Sequence, residues 1–349
     1  MKKILVTGSH GLIGSEASVF FAKKGFKVYG LDNNMRKSFF GQDGDTSWMK
    51  REIEKKVKDY KHIEIDIRNK EEIFDLFKNT KFDLIIHTAA QPAHDFPAKI
   101  DGGAHIDFGV NAVGTLNLLE ATRQYCKDAP FIFTSTNKVY GDSPNFLPLI
   151  EKETRWEIDE NHEYYNGIDE SMSIDQCKHS LFGASKVAAD ILVQEYGKYF
   201  DMLTVSFRGG CLCGLEHSAV ELHGFLNYLV RCVKYDKEYR IFSHKGKQVR
   251  DNIHNSDVVE AFYQFYLNPK CGEVYNLGGG RFSNCSMMEA FQIVENLTGK
   301  KSKTTYIEES RIGDHIWYIS SMEKFKKDYP NWEQKYTIEM ILKEISENV

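Results

Sequence analysis

The feature that most constrains this chain is its start, where a short apolar segment meets a glycine-rich turn. Residues 3–7 read K-I-L-V-T, and residues 8–14 read G-S-H-G-L-I-G before a helical pattern begins. Glycines at this spacing let the chain turn tightly after a strand, let a phosphate group approach the backbone and let the next helix pack on the strand. A strand, a turn and a helix joined in this way predict a parallel sheet covered by helices.

Apolar segments alternate with helical patterns through the first two hundred residues. The predicted strands cover residues 3–7, 27–31, 62–66, 84–87, 131–134 and 203–207, and the predicted helices cover residues 12–24, 70–79, 105–126 and 174–200. Strands joined by helices of this length imply right-handed crossovers and a parallel sheet with both faces covered. We therefore predict an α/β fold, namely a doubly wound parallel Rossmann sheet with a smaller C-terminal substrate-binding lobe.

The pattern becomes less regular after about residue 208, which indicates a second lobe. A chain of 349 residues is also longer than one small core commonly supports. We assign residues 1–207 to the cofactor-binding lobe and expect 249–276 to return to it. Residues 208–248 and 277–349 are assigned to the substrate-binding lobe.

Composition and charge exclude several classes of function. Charged residues make up 27% of the chain and the net charge is -5, so neither a nucleic acid nor an anionic membrane is an expected partner. The seven cysteines form no C-x-x-C pair, which predicts reduced thiols in a cytoplasmic protein. The N-terminal apolar run is too short for a signal peptide, and no other run is long enough to span a bilayer.

The segment E-H-S-A-V-E-L-H resembles a metal-ligand set only at first sight. It contains His217, Glu221 and His223, whose spacing fits one helix face poorly. We therefore predict no metal site and assign these residues to a substrate loop or the surface.

The glycine turn predicts a dinucleotide site, because the helix that follows it offers free N–H groups to phosphates. The second predicted strand ends at Asp32, where a carboxylate accepts hydrogen bonds from an adenosine ribose and repels a 2′-phosphate. Asp32 therefore favours NAD over NADP, although Arg36 follows it closely. Asp66 ends the third predicted strand, where it would meet the adenine.

Three segments together resemble the extended short-chain dehydrogenase/reductase family over essentially the whole chain. They are the glycine turn, the run L-I-I-H-T-A-A at 84–90 and the run S-L-F-G-A-S-K at 180–186. The resemblance implies NAD as the cofactor. It also implies a homodimer formed through two long helices, here the patterns at 105–126 and 174–200.

The resemblance assigns further residues to the cofactor. Thr88, Ala89 and Ala90 would line the phosphates on the nicotinamide side, and Asn111 would support the site from a helix. The predicted cofactor-binding residues are Gly8, His10, Gly11, Leu12, Ile13, Gly14, Asp32, Asn33, Asn34, Arg36, Asp66, Ile67, Thr88, Ala89, Ala90, Asn111, Thr134 and Lys186.

The predicted reaction centre differs from the family pattern at one position. The resemblance gives Thr136 a hydrogen bond to the substrate and makes Lys186 the lysine that holds the nicotinamide ribose. The family has a tyrosine four residues before this lysine, but here the residue is Phe182, which has no hydroxyl to carry a proton. We hypothesise that His179 or Tyr165 is the base instead.

The sequence is also compatible with different roles for Phe182. Tyr164, His94 and a neutral Lys186 are further candidates for the base. Alternatively, Phe182 is an introduced change that traps substrate or NAD, or the protein binds its ligands as a sensor without turning them over.

The residues after Thr136 distinguish between reactions. Sugar-nucleotide 4,6-dehydratases resemble one another in an acidic pair at this point, whereas this chain has Asn137 and Lys138, so water elimination has no evident base. The runs S-T-N-K-V-Y-G-D, G-I-D-E-S at 167–171 and G-K-Q-V-R-D at 246–251 instead resemble the CDP-tyvelose 2-epimerases (CDP-paratose 2-epimerases). This implies epimerisation of a CDP-hexose by transient oxidation, with a sugar-nucleotide dehydratase or reductase as the alternative enzyme.

The second lobe would hold the diphosphate of such a substrate. Arg250 and Arg311 occur where the resemblance places phosphate-binding arginines, and a guanidinium can give a phosphate two charge-assisted hydrogen bonds. The predicted substrate-binding residues are Gln91, Asn137, Lys138, Arg208, Lys247, Arg250, Arg311 and Asp314.

Overall fold

The computed structural model describes residues 1–93, 101–215, 224–309 and 313–349. Among these residues the strands are, in chain order, β1 (Lys3–Thr7), β2 (Lys27–Leu31), β3 (Lys61–Ile63), β4 (Leu84–His87), β5 (Phe131–Thr136), β6 (Leu149–Glu151), β7 (Trp156–Ile158), β8 (Thr204–Gly209), β9 (Cys211–Cys213), β10 (Glu238–Phe242), β11 (Val249–His254), β12 (Glu273–Leu277), β13 (Asn284–Ser286), β14 (Lys303–Ile307) and β15 (Trp317–Tyr318).

The α-helices of the same residues are α1 (Leu12–Lys23), α2 (Met35–Phe40), α3 (Ser47–Lys56), α4 (Lys70–Asn79), α5 (Gly103–Phe108), α6 (Gly114–Tyr125), α7 (Leu181–Phe200), α8 (Phe225–Lys234), α9 (Asn255–Leu267), α10 (Met287–Thr298), α11 (Glu323–Asp328) and α12 (Ile338–Asn348). A π-helical turn (Gly109–Val113) joins α5 to α6, and a 3-10 turn (Asn137–Tyr140) follows β5.

A seven-stranded sheet in the order β12-β8-β5-β4-β1-β2-β3 forms the centre of the fold. All of its strand pairs are parallel. The strand order reverses between β1 and β4, and parallel sheets bind ligands at the carboxyl ends of the strands beside such a reversal. The prediction of a doubly wound parallel sheet is confirmed.

Helices cover both faces of this sheet. Ile4 and Val6 point into one apolar cluster with α1, α9 and α11, whereas Leu5 points into a second cluster with α4, α6 and α7. Alternate residues of a strand face opposite sides, so a strand buried on both sides must be apolar throughout. The run L-I-I in β4, all of it buried, has this property.

Two helix predictions differ in their bounds. The pattern at 105–126 is a helix interrupted by the π-helical turn. The pattern at 174–200 is helical only from Leu181, because the Ser180 hydroxyl accepts a hydrogen bond from Gly183 N and caps the helix there. His179 therefore precedes the helix.

The second lobe is built around β11. This strand pairs in parallel with β9 and β15 and antiparallel with β13, and β10 and β14 form a separate parallel pair. Helices α8, α10 and α12 share an apolar core beside them. Within 249–276, α9 packs on α1 and β12 pairs with β8, whereas β11 pairs only with strands outside the seven-stranded sheet. In the described part of the chain, no helix has the length and apolarity needed to cross a membrane.

Candidate active site

One cavity extends from the carboxyl ends of the central strands to the second lobe. The ends of β1, β2, β4 and β5 line it on one side, and β9, α8, β10 and β11 line it on the other. A continuous cleft of this kind can hold two ligands end to end.

Two glycines let the turn after β1 pack closely against neighbouring backbone at the sheet end of the cavity. A Cβ on Gly8 would lie 2.7 Å from Ala89 N, and a Cβ on Gly14 would lie 2.1 Å from the Gly8 carbonyl oxygen. Gly8 also has a φ of +66°, which disfavours residues with a side chain. The structure therefore explains two of the glycines by close packing, and Gly8 and Gly11 line the cavity.

Asp32 lies at the end of β2 with its carboxylate held by the backbone. One carboxylate oxygen accepts a hydrogen bond from His10 N at 2.9 Å, and the other accepts one from Asn34 N at 2.8 Å. Asp32 and Asn33 line the cavity. The Asn34 side chain instead hydrogen-bonds to Asp45 and Thr46 and lies outside the cavity lining.

Other predicted residues complete this end of the cavity. Arg36 lines it, with its guanidinium 4.6 Å from the Phe40 ring centre, and burial lowers the Arg36 pKa to about 10. Asp66 lines it next to Ile67 and accepts a 2.6 Å hydrogen bond from Arg68.

The part of the cavity predicted to bind the dinucleotide extends from Asp32 and Asp66 to the ends of β4 and β5. Thr88, Ala89 and Ala90 line the cavity, and the Thr88 hydroxyl donates to Thr7 O at 2.7 Å. Thr134 also lines it, and its hydroxyl oxygen is buried with no hydrogen-bond partner among the described residues. A buried hydroxyl in this state has its hydrogen-bonding capacity left for a ligand.

Lys186 and Phe182 lie one turn apart on α7, and both line the cavity. The Lys186 side chain is 3% exposed, and its Nζ donates to Thr134 O at 2.7 Å and lies 4.2 Å from the Phe133 ring centre. Burial lowers the Lys186 pKa to about 7, against the opposing effect of Asp190 and Asp107.

A buried polar network supports this helix from behind. The Asn111 side chain accepts from Gln91 N and donates to Ser185 Oγ and to Asp107, which gives it the supporting position that the resemblance implies. Gln91 is a predicted substrate ligand, but it is fully buried and its amide donates to Asp107 and to Ala93 O. That assignment is corrected, because the amide is used inside the protein.

The assignment of Arg208 as a substrate-binding residue is also corrected. It is 4% exposed, outside the cavity lining, and its guanidinium donates to Asp190 at 2.9 and 3.3 Å and to the Tyr140 hydroxyl at 3.1 Å. Ser135 donates to the same carboxylate at 2.6 Å. Arg208 is thus an internal ion-pair partner that fixes β8 to α7.

The two residues hypothesised as the base lie outside the cavity. The His179 ring donates from Nε2 to Val139 O at 2.8 Å. The Tyr165 ring centre lies 4.1 Å from the Arg281 guanidinium. Tyr164 and Tyr165 both pack against an apolar cluster that contains Trp317 and Tyr318. Neither His179 nor Tyr165 lines the cavity, so the structure does not bring either hypothesised base to the site, and His94 lies outside the described residues.

The end of the cavity predicted to bind substrate is lined by Thr136 and by three charged residues, Lys138, Arg250 and Asp314. Thr136 ends β5, and Asn137 and Lys138 follow it in the lining. Lys138 Nζ donates to Gly313 O at 2.9 Å and lies 3.7 Å from the Asp314 carboxylate, which also accepts a 2.6 Å hydrogen bond from Arg250.

Two other substrate predictions have different outcomes. The Lys247 ammonium donates to Glu151 at 2.8 Å and to Lys152 O, away from the cavity lining, so its assignment is corrected. Arg311 lies outside the described residues, as do His217, Glu221 and His223. Among the described residues, no group of three acidic, histidine or cysteine side chains is arranged to hold a metal ion.

Several lining residues of the second lobe were missed by sequence reasoning. They are Cys211, Phe225, Asn227, Tyr239, Arg240, Phe242, Gln248 and Met287. The alternating run E-Y-R-I-F, which forms β10, is the signal that could have indicated part of this wall.

Comparison with known proteins identifies the family. Residues 4–278 match the profile of the NAD dependent epimerase/dehydratase family. The chain is 33% identical over 303 residues to the CDP-paratose 2-epimerase of Salmonella typhi, which covers 84% of each protein. The chain belongs to the NAD-dependent epimerase/dehydratase family.

Solved structures agree with this family at the level of the fold. The UDP-glucose 4-epimerase of Thermus thermophilus in complex with NAD has a TM-score of 0.78 at 24% identity, over 99% of this chain and 98% of that one. The dTDP-glucose 4,6-dehydratase of Bacillus anthracis in complex with NAD has a TM-score of 0.76 at 22% identity, over 99% and 96%.

The residues of this family member fit NAD, and the cofactor expectation is confirmed by the family. Gly8 and Gly11 line the cavity, where a pyrophosphate would approach the backbone, and the fixed Asp32 carboxylate would accept hydrogen bonds from the adenosine ribose. Thr134 and Lys186, which also line the cavity, would hold the nicotinamide end. When bound, NAD supplies a group that takes a hydride from a carbinol carbon and gives it back.

Proposed function

We propose that this chain is a nucleotide-diphospho-sugar epimerase that inverts C2 of a CDP-hexose by transient oxidation and re-reduction. The observation that carries the proposal is the composition of the cavity around Thr136. Lys186, Lys138 and Arg250 line the same cavity as Thr136, and the two residues that follow Thr136, Asn137 and Lys138, are not acids. The 33% sequence identity to a CDP-paratose 2-epimerase supports CDP as the nucleotide and C2 as the carbon that is inverted.

The charged residues at the predicted substrate end of the cavity carry a net positive charge, which suits a diphosphate. Lys138 and Arg250 bring two positive charges and Asp314 brings one negative charge, so the three groups together carry one net positive charge. Asp314 also holds the Arg250 guanidinium in place at 2.6 Å. An oriented guanidinium in a partly buried site binds phosphate oxygens strongly.

The same geometry argues against elimination of water. Elimination needs a group that removes a proton from carbon, and dehydratases of this kind would need it beside Thr136. Asn137 and Lys138 occupy those positions, and Asp314 is already paired with Arg250. Thr136 can still orient a sugar hydroxyl, because within the described part of the chain its hydroxyl makes only long hydrogen bonds, to Asn137 at 3.4 Å and from Lys138 N at 3.3 Å.

One observation favours a second function, an NAD-linked sensor of nucleotide sugars. Phe182 lines the cavity where a proton-carrying hydroxyl would serve catalysis. A sensor would bind both ligands and leave the sugar unchanged.

The test is an NMR assay of CDP-paratose with the NAD-loaded chain in D₂O. We expect CDP-tyvelose, with the original hydrogen retained at C2, because a hydride that leaves and returns does not exchange with solvent. The control is Thr136→Val, which keeps the shape of the side chain and should lower turnover by about 10²-fold. Deuterium at C2, or formation of a dehydrated sugar, would contradict the proposal, and binding without turnover would favour the sensor.

A homodimer is a further proposal. The exposed apolar side chains of α5 and α7 include Phe108, Leu181, Ile191 and Tyr199, and a surface of this kind suits a protein partner. A cytoplasmic location stays a prediction.

A further inference from the structure

The segment between β2 and β3 contains a short helix that the apolar core holds only weakly. Helix α2 (Met35–Phe40) has no buried residue, and its Met35 is only partly buried against an apolar cluster. By contrast, Met49 and Ile53 of α3 are 2% and 1% exposed and belong to the apolar cluster that includes residues of α1. Apolar burial therefore fixes α3, and α2 depends on other contacts.

This segment lies over one end of the cavity. Three residues of α2 line the cavity beside Asp32, and Thr46 lines it from the far end of the segment. The three are Met35, Arg36 and Phe39. Because Asp32 would bind the adenosine ribose of NAD, residues 35–46 would lie against the adenosine, and we call them the adenosine cap.

Asn34 connects the two ends of the adenosine cap. Its amide nitrogen donates to Asp45 Oδ1 at 3.0 Å, and its amide oxygen accepts from the backbone N–H and from the hydroxyl of Thr46, each at 3.0 Å. Its own backbone N–H donates to the Asp32 carboxylate at 2.8 Å. One residue therefore joins the closed position of the cap to the carboxylate that would bind the ribose.

The backbone of Asn34 shows what its side chain adds. Asn34 has a φ of +53° and a ψ of +29°, a left-handed conformation that asparagine adopts more readily than most residues with a side chain. Glycine adopts this conformation with no steric cost. The backbone alone would therefore be served by glycine, and the asparagine side chain contributes the three hydrogen bonds to Asp45 and Thr46.

The contacts to Thr46 are the best shielded of those that close the cap. Thr46 is 3% exposed, so its hydrogen bonds to Asn34 compete little with water. Lys37 also binds Asp45 at 3.0 Å, but the lysine side chain is 50% exposed, and an exposed ion pair of this kind contributes little. Asn34 is therefore the main polar contact that holds the cap closed.

We propose that Asn34 is a positioning residue that holds the adenosine cap closed over NAD and slows the release of the cofactor. The effect on release rests on the NAD site of the family. The consequence for turnover rests on the proposed function, because a chain that takes a hydride from a sugar and returns it must keep NADH until the return. Early loss of NADH would leave the keto sugar behind.

The first test measures cofactor release without any turnover. The protein is loaded with isotopically labelled NAD and mixed with excess unlabelled NAD, and the label that stays bound is followed over time. Asn34→Gly keeps the left-handed backbone and removes the side chain. We expect it to release NAD about 10- to 10²-fold faster, because the closed cap loses two to three hydrogen bonds. An unchanged release rate overturns the proposal.

Two sets of controls separate this role from a general loss of structure. Asp59→Gly also removes a side chain at a left-handed residue, with a φ of +60°. Asp59 lies outside the cavity lining, so this variant should release NAD at the wild-type rate. Thr46→Val should release NAD faster, whereas Thr46→Ser keeps the hydroxyl and should release it slowly.

Two results of these controls overturn the proposal. If Thr46→Ser releases NAD as fast as Thr46→Val, the shape of the side chain and not its hydrogen bond holds the cap. If Asn34→Gly loses affinity for CDP as strongly as for NAD, the substitution acts through the whole fold.

The second test follows free NADH during turnover of CDP-paratose. Asn34→Gly should release NADH and lose activity progressively, and added NAD should restore the activity. Constant activity without free NADH in this variant overturns the role in turnover. If the wild-type chain turns over no nucleotide sugar, the proposed function fails, and the release rates of the first test still decide whether Asn34 holds the cap.

Discussion

Replacing Arg208 with Met should reduce the stability of the protein and leave its ligand affinities unchanged. The guanidinium and the Asp190 carboxylate are 5% and 1% exposed, and they meet at 2.9 Å. Removing the arginine leaves a buried carboxylate that still has Ser135 and Gln194 as donors but, among the described residues, no cationic hydrogen-bond partner. Breaking a buried pair in this way costs about 3 to 5 kcal/mol.

The assay is thermal unfolding of the NAD-loaded protein, together with the affinity for CDP measured by calorimetry. For a chain of this size, 1 kcal/mol corresponds to about 2 °C, so the Tm should fall by about 6 to 10 °C. The control is Lys247→Gln, which breaks a partly exposed pair with Glu151 and should cost no more than about 1 kcal/mol. The Arg208→Met/Asp190→Leu double variant should recover part of the loss, because no buried charge remains unpaired.

The opposite pattern would refute this reasoning. If Arg208→Met bound CDP at least tenfold more weakly with an unchanged Tm, Arg208 would be a substrate ligand and its buried pairing would not describe the working protein. The sequence-based assignment of Arg208 as a substrate contact would then stand.

Four other changes test separate parts of the structure. Gly14→Ala should abolish NAD retention, because its Cβ would lie 2.1 Å from Gly8 O; cofactor content of the purified protein measures this. Asp32→Asn should lower NAD affinity about tenfold and narrow the preference over NADP, as read by fluorescence titration. Lys186→Met should flatten the rise of Tm between about pH 7 and pH 10: burial lowers the folded pKa to about 7, the unfolded chain binds the proton over that window, and stability therefore increases with pH there. Ile191→Asp, on the exposed face of α7, should convert a dimer to a monomer in light scattering, and an unchanged mass would contradict the proposed interface.

The central sheet was predictable because its strands are apolar on both faces. β1, β2 and β4 have the predicted bounds, since each is a short apolar run ended by a polar residue or glycine. The start of α7 was missed because its signal is local: Ser180 caps Gly183 N, which the longer pattern from residue 174 obscured. Strands of two or three residues such as β13 and β15 carry too little pattern to be recognised.

The candidate site shows a different limit of sequence reasoning. Residues at strand ends, such as Asp32 and Thr136, reach the cavity because parallel strands end at one edge. Position near that edge does not determine which way a side chain points. On β8 the Arg208 side chain turns towards Asp190, and Gln91 turns towards Asp107. The sequence predicted both polar residues to bind substrate. In the structure, both side chains instead hydrogen-bond to buried carboxylates, which the sequence pattern could not indicate.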